Sequence, residues 1–310
     1  MRQRADTHVH TIYSGIGRLG PLKFPESVTR PEEMVDHARR KKLDVLCITD
    51  HNCIGGAFVA EKYARQFDDI DVVAGEEVST ADGEVVGLWL TEEIPKDLSI
   101  EETIDIIHSQ GGLAIAPHPF SFHVPALREQ VFDLKLEGIE TLNGGHIDKY
   151  SNTKAKLEFL KHPGKWAQLG SSDGHSTSTV GYSWTEFDGQ GADGLRKSIL
   201  DKTTTAGGMP VPVDKAIVWS MEVVLTAGKM ILRSLMGRLK DDPMNPLIEN
   251  VKIMRSDRKL PAIIGAALYI IPPIPFIASI ASNRWLNKNA NKLVKEFSEE
   301  DLALLSGNRV

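Results

Sequence analysis

Asp44-Val-Leu-Cys-Ile-Thr-Asp-His51 is a short apolar run that ends on a carboxylate and an imidazole. Short, apolar and partly β-branched, the stretch Asp44–Thr49 reads as a strand. Asp50 and His51 then stand directly past its C-terminal end. The same pattern recurs along the chain. Strands are expected over Ile70–Gly75, Val85–Leu90, Leu113–Pro117, Gly138–Leu142 and Trp166–Gly170. Glu76 and Glu77 follow Gly75, His118 follows Ala116-Pro117, and Asp173 and His175 follow Gly170. His8 and His10 close the first expected strand. Side chains two apart on a strand share a face, so both imidazoles can reach one metal.

Helical segments separate several of these strands. Thr29 with Glu32, and Ser99 with Glu102, have capping-box spacing, and Gly111-Gly112 ends the second helix where a left-handed residue is wanted. Such alternation predicts a mostly parallel sheet or barrel, with all C-terminal strand ends at one rim, where active sites are built. Imidazoles and carboxylates without thiolates suit zinc, manganese or iron, rather than calcium or a structural zinc knot.

The chain has 310 residues, 41% hydrophobic and 25% charged, enough for one large α/β domain and a smaller unit. A net charge of -6 argues against nucleic acid as a partner held by bulk electrostatics. Cys47 and Cys53 lack zinc-finger or redox spacing, Cys47 sits in an apolar run as a core residue, and a reducing compartment is expected. The opening Met-Arg-Gln-Arg-Ala-Asp lacks the apolar stretch of a signal peptide, so the expected location is cytoplasmic.

The Gly/Pro-rich stretch Ala206–Pro212 ends the strand–helix rhythm. Beyond it, Val213–Val310 carries 14 basic against 10 acidic side chains, whereas the preceding part stands at -10. That asymmetry suggests two modules with different partners. The expected division is a catalytic domain over 1–205, a linker over 206–214 and a helical, hydrophobic module over 215–310. A helix over about Ala216 to Lys240 repeats Val218, Met221, Leu225, Gly228, Leu232, Leu235 and Leu239 at heptad spacing, a stripe that packs on the domain or on a partner. Its Lys229, Arg233, Arg238 and Lys240 suit anionic lipid or plain solvent. Leu260 to Asn283 holds no charged residue, and a helix crossing a bilayer core needs ~20 residues. Arg255, Arg258 and Lys259 precede it, Arg284, Lys288 and Lys292 follow it, and Tyr269, Phe276 and Trp285 suit an interface. Pro261, Pro272, Pro273 and Pro275 break a straight span, leaving a re-entrant hairpin or two buried segments. Segment 260–283 is thus a candidate for contact with the cytoplasmic face of a membrane.

The strand-end motifs also resemble a known family. Asp6-Thr-His-Val-His-Thr-Ile-Tyr-Ser14, Thr49-Asp-His-Asn52, Gly75-Glu-Glu-Val-Ser79, Ala116-Pro-His-Pro119 and Gly170-Ser-Ser-Asp-Gly-His175 resemble, in order, the motifs of the PHP (polymerase and histidinol phosphatase) family. The resemblance covers roughly residues 4–205. It implies an α/β fold, a distorted (β/α)7 barrel, with the smaller, mainly helical module appended. It also implies two or three divalent metal ions, and singles out Glu77 rather than Glu76. His8, His10, Glu77 and Asp173 would hold one metal, Glu77 would bridge to a second held with His118, and His51 and His175 would belong to a third. Two departures stand out. Gly15 and Ile16 occupy places where many members have an acid or histidine, and Glu84 stands where many have a histidine, as an alternative oxygen ligand.

The implied activity is a metal-dependent phosphoesterase, in which a metal-activated hydroxide attacks a phosphomonoester or phosphodiester of a nucleotide or other small phosphorylated compound. Asp50 and His175 are candidates for orienting ligands or protonating the leaving group. Arg18, with Lys23, could contact phosphate, and Asn143 could position substrate or cap a turn. His37, His108 and His162 read as structural, while His123 and His146 lie in rim loops. The alternative is a catalytically degenerate metal-binding scaffold tethered to a membrane or partner through its C-terminal module.

Overall fold

The computed structural model describes residues 2–19 and 22–307. Strand β1 (Gln3–Val9) passes through a 3-10 turn into a ribbon of β2 (Ile16–Leu19) and β3 (Leu22–Pro25). Helix α1 (Pro31–Arg40), β4 (Val45–Ile48), α2 (Gly55–Ala64), β5 (Asp71–Ser79), β6 (Glu84–Leu88), α3 (Ile100–Ser109), β7 (Leu113–Ala116) and β8 (Gly138–Asn143) follow. Then come α4 (Ser151–Lys161), β9 (Ala167–Ser171), β10 (Ser183–Phe187), α5 (Gly191–Leu200) and β11 (Thr205–Gly208). Five helices end the chain: α6 (Val213–Leu235), α7 (Pro246–Ile253), α8 (Ser256–Tyr269), α9 (Ile274–Val294) and α10 (Glu299–Ser306).

Nine strands form one sheet in the order β11-β10-β1-β4-β5-β6-β7-β8-β9. Its far edge returns to its start. Gly170 on β9 donates its N–H to Thr185 Oγ1 of β10 at 3.0 Å, and that hydroxyl donates to Gly170 O at 2.8 Å. Ser172 N–H donates to Asp6 Oδ1 of β1 at 2.8 Å. The result is a nearly closed barrel with helices outside and a helical C-terminal region, the expected fold class. Every strand expected from the apolar runs is present. The expectation of a mostly parallel sheet is corrected to a mixed one: β10 runs antiparallel to both β1 and β11, and β6 runs antiparallel to both β5 and β7. A short turn after Ser79 permits a hairpin and no crossover helix.

Two apolar layers hold the barrel. Inside it lie Val45, Cys47, Val73, Val86, Ile115, Leu169 and Phe187, sealed by Leu195 and Ile199 of α5. Gly191 N–H and Ala192 N–H of α5 bond Gln3 and Asp71 at the strand starts, so this helix plugs the N-terminal end. Outside, Met34, Val35, Ala57, Ile104 and Ile107 pack on the opposite faces of the strands. Each fully buried Val, Leu, Ile, Phe or Met among them contributes roughly 1.5–3 kcal/mol. The other end of the barrel is left for polar side chains.

Several local expectations shift. Ser99 and Glu102 cap α3 reciprocally, as expected. At α1, however, Pro31 takes the first helical position, so Glu33 rather than Glu32 closes on the Arg30 N–H, and Thr29 lies outside the helix. The expected linker over 206–214 is already structured. Ala206–Gly208 belongs to β11, where a Cβ on Gly208 (φ +96°) would lie 2.2 Å from Tyr182 O, and α6 begins at Val213. Helix α6 stops at Leu235. It buries Ile217, Val223, Met230 and Ile231, while Val218, Leu232 and Leu235 of the expected stripe are exposed.

Barrel closure yields a test. A Cβ on Gly170 would lie 2.4 Å from the backbone Trp184 O, where only a backbone shift can relieve it. Gly170→Val should therefore cost about 1–3 kcal/mol in denaturant unfolding. An unchanged midpoint would show that β9 and β10 are not the closing seam.

Candidate metal centre

At the C-terminal rim the strand ends bring imidazoles and carboxylates into one buried cluster. His8 and His10 share a face and are both fully buried. His8 Nδ1–H donates to Glu140 Oε1 at 3.0 Å. His10 Nδ1–H donates to Ser14 Oγ at 3.1 Å, and that hydroxyl donates onward to Asp50 Oδ1 at 2.7 Å. With Nδ1 of each ring engaged, Nε2 is the nitrogen that each turns into the cluster. These two nitrogens lie 2.9 Å apart. Two ring nitrogens this close, with the Glu77 carboxylate beside both, are placed to share one cation. The donor set fits a metal.

Glu77 stands at the middle of the cluster. Its Oε2 lies 3.2 Å from His8 Nε2, 3.4 Å from His10 Nε2 and 3.1 Å from His51 Nδ1. Its Oε1 lies 3.1 Å from His118 Nε2. Asp173 Oδ1 is 3.3 Å from His10 Nε2. Glu84 points inward, 4.0 Å from His51 Nδ1 and 3.8 Å from His118 Nε2. Three sets of donor atoms each close within 4.8 Å: His8, His10 and Glu77; His51, Glu77 and Glu84; His10, His51 and His175. Glu77 belongs to two of them, as a bridging carboxylate must. His175 stacks on His10 with ring centroids 4.1 Å apart, and its Nδ1–H donates to Asp173 O at 2.9 Å.

Backbone geometry bends to this arrangement. Asp173 and His118 have φ of +50° and +29°, in the left-handed region that costs a residue other than glycine of order 1–3 kcal/mol. The strain falls on two candidate ligands. In β8 the pairing register shifts between Glu140 and Leu142. Residues three apart on a regular strand face opposite ways. This bulge lets Asn143 Nδ2–H reach Glu140 Oε2 at 2.8 Å.

Burial disfavours charge on every member, and the neighbours decide which groups keep it. For His8, burial opposes protonation, but Glu77, Asp173 and Glu140 outweigh it and hold the pKa well above the imidazole range. For His10, burial reinforced by His175 and His51 holds it well below. Burial would raise Glu77, yet His8 and His51 outweigh it and keep the carboxyl well below its usual range. Glu84 has less help, and burial together with the charge of Glu77 pushes it up to about 8. Burial opposes protonation of His118 too, but its bond to Glu77 carries it up to about 9.

All the candidate ligands His8, His10, His51, Glu77, Glu84, His118, Asp173 and His175 thus meet in one place. Glu76 faces the other way, its Oε2 accepting from Ile94 N–H at 3.0 Å, as strand alternation requires. Two expected residues in contact with catalysis or substrate take positioning roles instead. Asp50 is fully buried and its oxygens accept from Thr11 and Ser14, so it positions His10 and is not a catalytic group in contact with substrate. Asn143 is likewise fully buried, donating to Glu140 and Asp173 and accepting from Gly145 and His146, so it has no group left for substrate. Arg18 falls on β2, and its side chain lies outside the described residues. Glu140 was not anticipated. Its signal was a lone acid inside the apolar run Gly138–Leu142, which here orients His8 and accepts from His118 N–H at 2.8 Å. His146 stacks on His118 at 5.1 Å and His123 on His146 at 4.7 Å, extending the cluster along the rim. A cleft of about 390 Å³ opens beside Glu84, lined by Thr80, Val124 and Arg128 among others.

The family model for the PHP domain matches residues 6–168, just over half of the chain. That match takes in His8 through His146, and Asp173 and His175 lie beyond it. The uncharacterized protein MJ1587 of Methanocaldococcus jannaschii is 48% identical over 158 residues, 51% of this chain and 92% of that protein. A second uncharacterized protein of the same organism, MJ1588, is 36% identical over 117 residues, 38% of this chain and 98% of its own length. An amidohydrolase from Chromobacterium violaceum aligns at TM-score 0.47 and 16% identity, covering 66% of this chain and 97% of that one.

Two outcomes are expected. Glu77→Gln should reduce bound metal far more than Glu76→Gln, because only Glu77 faces the imidazoles. Equal losses, measured by elemental analysis, would refute the bridging position. The second concerns pH. His8, His118 and Glu84 hold protons at neutral pH, and ligation must displace them. Metal affinity should therefore climb with pH and level off above about 9, the range to which His118 is raised. Titration calorimetry should find more protons released at lower pH, and an affinity flat with pH would contradict the assignment.

Proposed function

This chain belongs to the PHP domain family, and on that premise we propose that it is a metal-dependent hydrolase of phosphoesters, with zinc, manganese or iron as the divalent ion. The observation that carries this reading is the pair of Nε2 atoms of His8 and His10, 2.9 Å apart beside the Glu77 carboxylate. Bound there, divalent ions supply Lewis-acid polarisation of a phosphoryl oxygen and lower the pKa of water.

The chain's own residues supply the rest. Glu140 and the Ser14–Asp50 pair orient His8 and His10, and Asn143 holds Asp173 through a 3.2 Å bond. His51 and His175 are the partly exposed members of the cluster, at 23% and 17% of their side-chain surface, so they line the mouth that substrate enters. Arg128, in the cleft beside Glu84, offers a cation to the remaining phosphate charge. The substrate class that fits is a small phosphomonoester or phosphodiester, of a nucleotide or a similar compound.

Purified protein reconstituted with manganese, zinc or iron should hydrolyse a generic aryl phosphate ester. Asp173→Asn should reduce that turnover at least 100-fold, by about 3 kcal/mol or more in transition-state stabilisation, because a carboxylate beside concentrated positive charge is lost. Metal-loaded protein without turnover of any monoester or diester would favour a binding scaffold and refute the proposal.

A further inference from the structure

The C-terminal helices present a surface that the barrel and its reaction do not use. Helix α8 runs antiparallel along α6 and is fixed by one face. Lys259 Nζ donates to Ser234 Oγ at 2.9 Å, Ala266 packs opposite Gly228, and Tyr269 OH donates to Ser220 Oγ at 3.0 Å. The face turned away carries Leu260, Ile264, Leu268 and Ile271, each between 51% and 59% exposed. After a bend of 84°, α9 continues it with Phe276 at 48% and Ile277 at 59%. A soluble surface scatters such side chains singly, whereas these are contiguous. Neither helix is long and apolar enough to cross a membrane by itself, and among the described residues only the bent pair passes by length and composition.

Charge identifies the occupant. From Arg258 to Lys295 there is no acidic residue, while Arg258, Lys259, Arg284, Lys288, Lys292 and Lys295 are basic. A second copy docking face to face would set this positive stretch against itself, a like-charge contact that costs affinity. An anionic lipid surface offers the opposite charge to the basic flanks and a hydrocarbon boundary to the apolar ridge. The ridge is anchored to the barrel and is no loose tail. Trp285 packs on Phe122 with ring centroids 6.4 Å apart, Phe297 stacks on Tyr150 at 5.8 Å, and Lys161 pairs with Asp301 at 2.6 Å.

We propose that the α8–α9 corner is a membrane-docking wedge that lies in the interface of an anionic bilayer, with Leu260, Ile264, Leu268, Phe276 and Ile277 in the apolar boundary and Arg284, Lys288 and Lys292 at the headgroups. The metal centre and its reaction do not enter this inference, so either can fail without the other.

Flotation of the full chain with vesicles tests it. The protein should float with phosphatidylcholine vesicles containing phosphatidylglycerol, and at least tenfold less with phosphatidylcholine alone. A variant carrying Ile264→Glu, Leu268→Glu and Ile277→Glu should lose flotation while keeping its melting temperature and metal content, since these side chains are already exposed. Arg284→Glu with Lys288→Glu should weaken binding to the anionic vesicles at least tenfold. Wild-type protein left behind by anionic vesicles, equal flotation with both lipids, or undiminished flotation of the apolar-face variant would each overturn the proposal. So would self-association through this face, measured by sedimentation, without vesicle binding.

Discussion

One buried carboxylate organises this molecule. Glu77 is 1% exposed and has His8, His10, His51 and His118 around its two oxygens. Burying such a charge is costly unless it is paired, and four imidazoles from three other strand ends provide the pairing. That requirement reaches into the backbone. Strands β1, β4, β5 and β7 must end at one level for their ligands to meet, and only a nearly closed barrel provides that. The strained φ values of His118 and Asp173 lie where the donors are drawn together.

Positioning residues form a continuous layer beneath the ligands. Glu140 ties His8, the His118 backbone, Ser171 and Asn143 into one network, and Asp50 does the same for Thr11, Ser14 and, through Ser14, His10. Each fixes an imidazole tautomer as well as a ring plane, which decides which nitrogen faces the ion. The reversal of β6 completes the set. Because β6 runs opposite to its neighbours, its N-terminal residue, Glu84, arrives at the same rim as the C-terminal ends of the others.

The helical region is coupled to this rim. Trp219 of α6 lies 5.6 Å from the His175 ring and donates Nε1–H to Glu26 O at 3.2 Å. Trp285 of α9 meets Phe122, whose ring edge meets His123 at 5.0 Å. Aromatic side chains suit this place, since they bury a large area with few rotatable bonds. Two helices therefore wall the mouth from different sides, and the exposed ridge is held at a set position relative to it.

Much of this was legible in the chain itself. Apolar runs of strand length located β4, β5, β6, β7, β8 and β9, and the residues just past them named His51, Glu77, His118, Asp173 and His175, while the His8-x-His10 pair marked the end of β1. Such features are local: periodicity and turn chemistry act within a few residues, so composition and spacing reveal them. What tertiary structure alone decided is direction and facing. Asn143 and Asp50 look free in the sequence, but sheet closure turns them inward, where Glu140, Asp173, Thr11 and Ser14 use their groups. The β8 bulge, which no periodicity announces, brings Glu140 and Asn143 to one side. The stretch after Thr205 reads as a linker because Gly207 and Gly208 carry no pattern, yet they pair as β11, their lack of side chains permitting the close approach to β10. On α6 an apolar stripe exists in the sequence, but the partners available, the barrel on one side and α8 on another, determine which residues are covered. Local chemistry chose the donors, and closure of the barrel aimed them.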